Sequence, residues 1–413
     1  MDQLIVRRRI AAAVIVCSAC ASGGSEPPDP VLTVQALVAV ECANDAPDDD
    51  SDGLCDEAEL ELGTDPTDPD TDGDALKDGH EALGYRENGV LVLDLPALGA
   101  DPLHKDIFLE IDYYAAFRPA PGVIEAVIDG FALAPVANPD NTTGIRLHVD
   151  LDQQIDKADE IAILLAPFEY VGELKAKYFD PARTIAYHYG LFAERYRSSN
   201  GSTTSSGQSN GIVASDFIVT LGAWSDRSLP VQAGTLMHEL GHNLGLKHGG
   251  HDHDVFKPHY FSLMNYHYQV IGLTKDGRTT FDYARIPVVS LDERNLNESQ
   301  GIRPLNDKDA DELARYAAPY VCAPRRDGCR SPQQLSGRLP GPLDFDGANG
   351  IDSAPVALDL DDDAKLEYFA PLEEDWNRLN YTGGKIGDLA RFRQFIEDSP
   401  PCLSADQGDP RAP

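Results

Sequence analysis

The chain has 413 residues, with 69 acidic side chains against 34 basic ones and a formal net charge of −35. That balance argues against a nucleic-acid partner, because phosphate backbones are gripped through clusters of Lys and Arg. At 42% hydrophobic and 8% aromatic residues, most of the chain can fold around ordinary cores, and at ~100 to 200 residues per domain it has room for two or three.

The chain opens MDQLIVRRRIAAAVIVCSACASGGSEPPDP: a basic patch at Arg7 to Arg9, an apolar run from Ile10 to Val16, then small residues. This pattern is an export signal, too short to span a bilayer as a mature helix. Two cleavage readings compete. In the first, Cys20 after Ser18 and Ala19 is similar to the cysteine of a bacterial lipobox, so residues 1–20 are a lipoprotein-type signal and the lipidated thiol anchors the protein in the cell envelope, at the outer membrane. Cys17 stands where a lipobox usually has Leu. In the second, Ala19 and Ala21 form an A-x-A site and the protein is secreted. Either way the chain leaves the cytoplasm, and no internal stretch is apolar enough to cross a membrane. Beyond the signal, Cys42, Cys55, Cys322, Cys329 and Cys402 form an odd set. Cys42 with Cys55 and Cys322 with Cys329 span short loops that can close as disulfides and leave Cys402 free, although connectivity does not follow from sequence.

A flexible Ser/Gly/Pro-rich linker over residues 21–44 leads into an aspartate-dense segment, 45–84. There DDDSDGLCDEAE repeats as DTDGDALKDGHE at an offset of 22 residues: Asp48, Asp50, Asp52, Asp56 and Glu59 match Asp70, Asp72, Asp74, Asp78 and Glu81. Alternating carboxylates with an acid further on suit calcium, a hard cation that takes several oxygen ligands. The intervening GTDPTDPD resembles the linker of thrombospondin type 3-like calcium repeats. Gly53 supplies the sharp turn of the first loop, and Ala75 takes its place in the second, which puts the second loop's geometry in question. The competing reading is a solvated acidic tether.

A folded domain is expected over residues 100–330. KDIFLEIDYYA (105–115) and GIRLHVDLD (144–152) have strand composition, and GVIEAVIDGFALA between them has helical spacing, so the domain opens as βαβ with parallel strands. SSNGSTTSSGQSNG (198–211) reads as a low-complexity polar loop, ASDFIVTLGAW (214–224) as another strand, and ELARYAAPY (312–320) as a helix. Between these last two lies HELGHNLGLKHGG (238–250), with three histidines and a glutamate in eleven residues. Pro230 is placed to open a helix and Gly245 to close it in the left-handed conformation. Ala233, Leu236, Met237, Leu240 and Leu244 make its core face, while His238 and His242, one turn apart, share another face. A chain reversal at Gly245 can return His248 to the same point. Three protein ligands with a fourth position left open describe a catalytic zinc site, and Glu239 stands beside the first ligand.

HELGHNLGLKH matches HExxHxxGxxH at every specified position, and SLMNY (262–266) follows at a distance suited to a methionine turn. In both respects the chain resembles the metzincin zinc peptidases. The resemblance implies an α+β fold, a metzincin-like catalytic domain with a twisted mixed sheet and an active-site helix, preceded by the loop-rich calcium repeats. By it His238, His242 and His248 hold zinc, Glu239 is the general base and acid acting on the zinc-bound water, and Met264 is the floor of the site. Tyr266 matches a turn tyrosine that in some metzincins ligates zinc or steadies the tetrahedral intermediate. ASDFIVTLGAW would be the edge strand that pairs with an extended peptide substrate, and an ordinary sheet member is the plainer alternative. Gly249 and Gly250 follow the third histidine where many families of the clan carry a marker residue, and no PRCGxPD-like cysteine switch is visible. His251, His253 and His259 read as loop residues.

In the C-terminal extension, 331–413, DFDGANGIDS (344–353) and DLDDDAKLE (359–367) space carboxylates like calcium loops without a full pattern, so solvated loops explain them equally well. EDWNRLNY is expected to anchor this extension on the catalytic domain through an aromatic side chain. The expected function is that of an exported zinc endopeptidase acting on protein or peptide substrates. The alternative is a calcium-dependent surface adhesion protein with a structural zinc site.

Overall fold

The computed structural model describes residues 46–322, 329, 332–348, 350–383, 386 and 402–403. The export signal with Cys20, the linker and Cys42 lie outside the described residues.

The architecture is mixed α/β around a mostly parallel five-stranded sheet. Helices α1 (Asp56–Leu62) and α2 (Asp78–Leu83) each follow one acidic loop. The sheet is built from β1 (Asp106–Tyr113), β2 (Arg146–Gln154), β3 (Tyr187–Ala193), β4 (Gly207–Ser209) and β5 (Asp216–Thr220). Their spatial order is β2-β1-β3-β5-β4, with β4 the one antiparallel member. The expected βαβ opening is present: α3 (Val123–Ala132) carries the chain from β1 to a parallel β2. A second crossover, α4 (Pro167–Tyr178), leads to β3 on the other side of β1. Strands buried on both faces read as continuous apolar runs rather than alternations, as YHYGLFA in β3 does with every residue buried.

Here the structure decides between two readings of one strand and overturns the expectation of one helix, both for tertiary reasons. The strand within ASDFIVTLGAW, β5, is interior, hydrogen-bonded on both sides, and the sheet ends at β4, inside the stretch that reads as a polar loop. Gly-Gln-Ser has no strand propensity of its own; it pairs because β5 offers it a free edge. The helix expected over ELARYAAPY is a single turn, Ala310–Leu313, after which Tyr316 bridges to Lys275 instead.

The helix that follows the sheet, α5 (Leu229–Asn243), begins with Pro230 in its first turn. Ala233, Leu236, Met237, Leu240 and Leu244 are fully buried, as their spacing demands. The C-terminal extension is seated on this layer through Trp376, whose ring meets Phe131 edge-on at 5.3 Å and whose Nε1–H donates to Asp282 at 2.9 Å. Cys322 and Cys329 form a disulfide, Cys55 is also disulfide-bonded, and Cys402 is free and buried.

Candidate metal centre

Helix α5 ends in a Schellman turn: Leu246 N–H donates to Gly241 O at 2.8 Å, Gly245 N–H donates to His242 O at 3.0 Å, and Gly245 takes φ +91°. The turn reverses the chain, which brings His248 Nε2 to 3.1 Å from His242 Nε2. His238 and His242 each donate Nδ1–H to a backbone carbonyl, of Leu263 and Leu246, both at 2.8 Å. Each ring is thereby fixed with its Nε2 lone pair facing inward. His238 Nε2 is buried and has no hydrogen-bond partner. Burial pushes His238 down to about 4 and holds His242 and His248 well below the usual imidazole range. All three are therefore neutral at pH 7, the form in which imidazole binds a metal ion.

Glu239 lies beside this triad, fully buried, and burial pushes its carboxyl up to about 8. Neither of its oxygens has a well-formed hydrogen bond. β4 reaches it closely: a Cβ on Gly207 would stand 2.4 Å from Glu239 Oε1. Met264 packs under α5, where a Cβ on Gly241 would meet its Sδ at 2.5 Å. The turn that carries Met264 is tied down by Asp375, whose Oδ2 accepts from Ser262 Oγ at 2.7 Å and Tyr260 OH at 2.8 Å. The Tyr266 ring stands 4.6 Å from the His248 ring and 5.9 Å from that of His238. His259 and His267 are buried away from the triad, with Nε2 hydrogen-bonded to Ala370 O and Phe256 O. Gly249 is explained by its loop, because a Cβ there would lie 2.1 Å from Asp252 Oδ1, the partner of buried Lys257.

A fourth group able to ligate a metal, which the sequence did not point to, lies near the histidines. Cys402 Sγ lies 3.8 Å from His242 Nε2 and 4.0 Å from His248 Nε2, and together with His238 Nε2 these atoms fall within 4.8 Å of one another. Sequence reasoning left Cys402 over as an unpaired thiol. That odd count was its only signal, and it gave no position.

The acidic repeats form two loops with one hydrogen-bond pattern. Asp52 N–H donates to Asp48 Oδ1 and Asp50 Oδ1 at 3.2 and 3.1 Å, and Asp74 N–H donates to Asp70 Oδ1 and Asp72 Oδ1, both at 3.1 Å. Asp56 and Asp78 brace their loops by accepting the N–H of Asp49 and Thr71, both at 3.0 Å. Both carboxylate oxygens of Glu59 and of Glu81 are buried without partners. Burial pushes Glu59 and Asp78 up to about 7 and Asp72 to about 8, with neighbouring carboxylates adding to the effect. A protein interior leaves such oxygens unpaired at a high cost unless a cation takes them. Sequence reasoning did not include Asp106, from β1, which joins Asp74 and Glu81 in one cluster and donates its N–H to Asp74 Oδ2 at 2.6 Å. Ala75 adopts φ +78°, so the second loop keeps its shape without glycine. The stretch 359–365 repeats the same bonds, with Asp363 N–H on Asp359 Oδ1 at 3.2 Å and Asp361 Oδ1 at 3.4 Å.

A cavity of about 370 Å³ opens at the C-terminal ends of β3 and β5, lined by Phe117, Arg118, Phe192, Val219, Arg227 and Gln232 among others. It holds none of the metal-site side chains. No protein-family model matches the chain, and comparison with curated proteins finds no match. No helix among the described residues is long and apolar enough to cross a membrane.

Proposed function

We propose that the chain is an exported zinc-dependent endopeptidase of metzincin type, stabilised by calcium in its acidic loops. The observation that carries this reading is the convergence of His238, His242 and His248 on one buried point with Glu239 beside them. The HExxHxxGxxH resemblance, the Met264 turn beneath α5 and the single antiparallel edge strand next to Glu239 support it. Three neutral imidazoles suit zinc. Alternating aspartates backed by Glu59 or Glu81 suit calcium, which takes roughly six to eight oxygens.

When bound, zinc supplies Lewis-acid polarisation of the scissile carbonyl and makes water a stronger acid. Glu239 takes the proton of the attacking water and delivers it to the leaving amine. Burial alone holds the Glu239 carboxyl up at about 8, and a bound cation would favour its ionised form, the base that this role needs. Tyr266, whose ring lies 4.6 Å from that of His248, is the residue that would steady the oxyanion in this reading. The outer edge of β4 offers backbone groups to an extended peptide.

One observation favours the rival reading. A zinc ion closed by four protein donors is the mark of a structural site, and Cys402 supplies a fourth donor. Such a site would leave a calcium-dependent surface adhesion protein. The test is cleavage of a diverse peptide library by the zinc- and calcium-loaded chain, with and without Cys402→Ser, each against a counterpart carrying Glu239→Ala. Cleavage that disappears with Glu239 is the expected result. If none of the four proteins cuts while each binds one zinc, the peptidase reading is abandoned for the structural one.

A further inference from the structure

We propose that Asp106, the first residue of β1, is a calcium ligand of the second acidic loop, so that this calcium fastens the repeat segment to the central sheet; this rests on the calcium reading of the acidic loops above and is independent of the histidine centre. The first ground is an unfilled need for oxygen. Calcium takes roughly six to eight oxygens. Asp78, which the spacing offers as one of the second loop's ligands, is turned instead to Thr71, whose N–H and Oγ–H it accepts at 3.0 and 2.6 Å. Both oxygens of Glu81, which is 1% exposed, and Oδ2 of Asp72 are buried without partners. One carboxylate oxygen from each of Asp74, Glu81 and Asp106 falls within 4.8 Å of the others, so Asp106 shares the space of the unpaired Glu81.

The second ground is a difference between the two loops at matching places. In the first loop Asp52 Oδ2 accepts the N–H of Gly79 at 2.5 Å, and in the second Asp74 Oδ2 accepts the N–H of Asp106 at 2.6 Å. Each loop therefore leans on the element that follows it, the first on α2 and the second on β1. The residue met by the first loop is a glycine, where a Cβ would stand 2.6 Å from Asp52 O, so no carboxylate can enter from that position. The residue met by the second is an aspartate. The first site thus closes from its own segment, whereas the second takes one carboxylate from the sheet.

The third ground is how Asp106 is held. Its Oδ1 is paired with His148 Nε2, from β2, and its Oδ2 accepts the N–H of Asp101 at 2.8 Å. The His148 ring is itself stacked on Phe108 at 4.4 Å. A carboxylate oxygen that accepts one hydrogen bond keeps a second lone pair for a cation, and outer partners of this kind set the direction of a ligand. Asp106 is 2% exposed and opens the strand that lies between β2 and β3. Calcium at the second loop therefore acts on the entry to the sheet as well as on the repeat.

The test titrates the full chain with Ca²⁺ by calorimetry and compares Asp106→Asn, Glu81→Gln and Glu59→Gln with their double variants. Asn keeps the size of Asp106 and the N–H that Asp74 accepts, and it takes a negative charge out of a crowded acidic site, so the variant should fold in EGTA. The expected result is that Asp106→Asn weakens one calcium by about 10- to 100-fold, the range for losing a supporting group at a metal site. It should be the calcium that Glu81→Gln removes. Added to Glu81→Gln, Asp106→Asn should change nothing further; added to Glu59→Gln, it should weaken the second loop's calcium as it does in the parent. A second measurement reads the rise in thermal midpoint from EGTA to a fixed Ca²⁺ concentration. That rise should shrink in Asp106→Asn and in Asp106→Ser, which keeps the N–H and drops the carboxylate. Calcium bound with parental affinity by a folded Asp106→Asn, or a loss that falls on the calcium removed by Glu59→Gln, overturns the ligand role and leaves the calcium reading of the loops intact. Midpoints lowered equally with and without Ca²⁺ mark a role confined to packing with His148 and overturn it as well. Absence of calcium binding by the parent removes both.

Discussion

The acidic loops and the histidine centre both gather buried ligand groups, but from very different lengths of chain. Asp70, Asp72, Asp74 and Glu81 lie within twelve residues, and the same local hydrogen bonds recur 22 residues earlier. The histidine centre draws its three imidazoles from eleven residues, and the thiol that lies near them, Cys402, stands 154 residues beyond His248. A site written in one short loop carries its geometry with it. A site whose surroundings come from distant parts of the chain depends on tertiary packing for its geometry.

The largest effect should come from the centre's own chemistry. In a Cys402→Ser background, Glu239→Ala should lower peptide cleavage by about 10²- to 10⁴-fold, the usual contribution of a positioned general base. Zinc content should be unchanged, because Glu239 is not among the ligands. Equal loss of zinc and activity would make Glu239 a ligand and erase the distinction between the centre's donors and its base.

The same contrast explains what could be read from sequence. Helix α5, its apolar face, the Gly245 turn and the three histidines follow from local spacing. The two aspartate loops follow from their repeat. Cys402 and Asp106 do not, because nothing near them in the chain indicates that β4 or the second loop will be their neighbour. β4 itself is invisible for a related reason: Gly207 is required by close approach to Glu239 and Ile218, a tertiary demand that looks like loop composition. The interior position of β5, one of the two readings its composition allows, is decided only by β4.

Calcium removal should separate the two regions next. Glu59 and Asp78, pushed up to about 7, and Asp72, pushed up to about 8, start from ordinary values of 4.5 and 3.8. Without a cation the folded state holds more protons than the unfolded one between about pH 4 and pH 8, so stability falls as pH rises through that window. In EGTA the thermal midpoint should therefore drop steadily from pH 5 to pH 8, and saturating calcium should flatten the slope. A midpoint independent of calcium at pH 8 would return these loops to the status of solvated tethers.

A smaller effect is expected where the edge strand meets the centre. In Gly207→Ala the new Cβ would stand 2.4 Å from Glu239 Oε1 and 2.6 Å from Ile218 O. The second contact is backbone and cannot swing aside, so stability should fall by about 1–3 kcal/mol in urea unfolding, the range for overpacking. Cleavage in the Cys402→Ser background should fall with it as Glu239 is displaced. A fully stable Gly207→Ala would mean that β4 can shift outward, and the edge would then not set the position of the base.

The finest comparison lies within the repeats, at one of the two left-handed turn positions where they differ, Gly53 against Ala75. Gly53 sits at φ +100° with nothing within 4 Å of a would-be Cβ, and Ala75 sits at φ +78° with its methyl in the core. Gly53→Ala adds left-handed strain of about 1–2 kcal/mol against an unfolded-chain gain of about 0.5–1 kcal/mol. A net loss near 1 kcal/mol is expected. The reverse change, Ala75→Gly, relieves similar strain but gives up the buried methyl, about 0.8 kcal/mol, and the same chain-entropy difference. The opposing terms cancel to within about 0.5 kcal/mol, so its unfolding midpoint should barely move. A gain above about 1 kcal/mol would mean that strain at Ala75 outweighs its packing, and that the second loop keeps its shape against its own sequence because Glu81 and Asp106 hold it there.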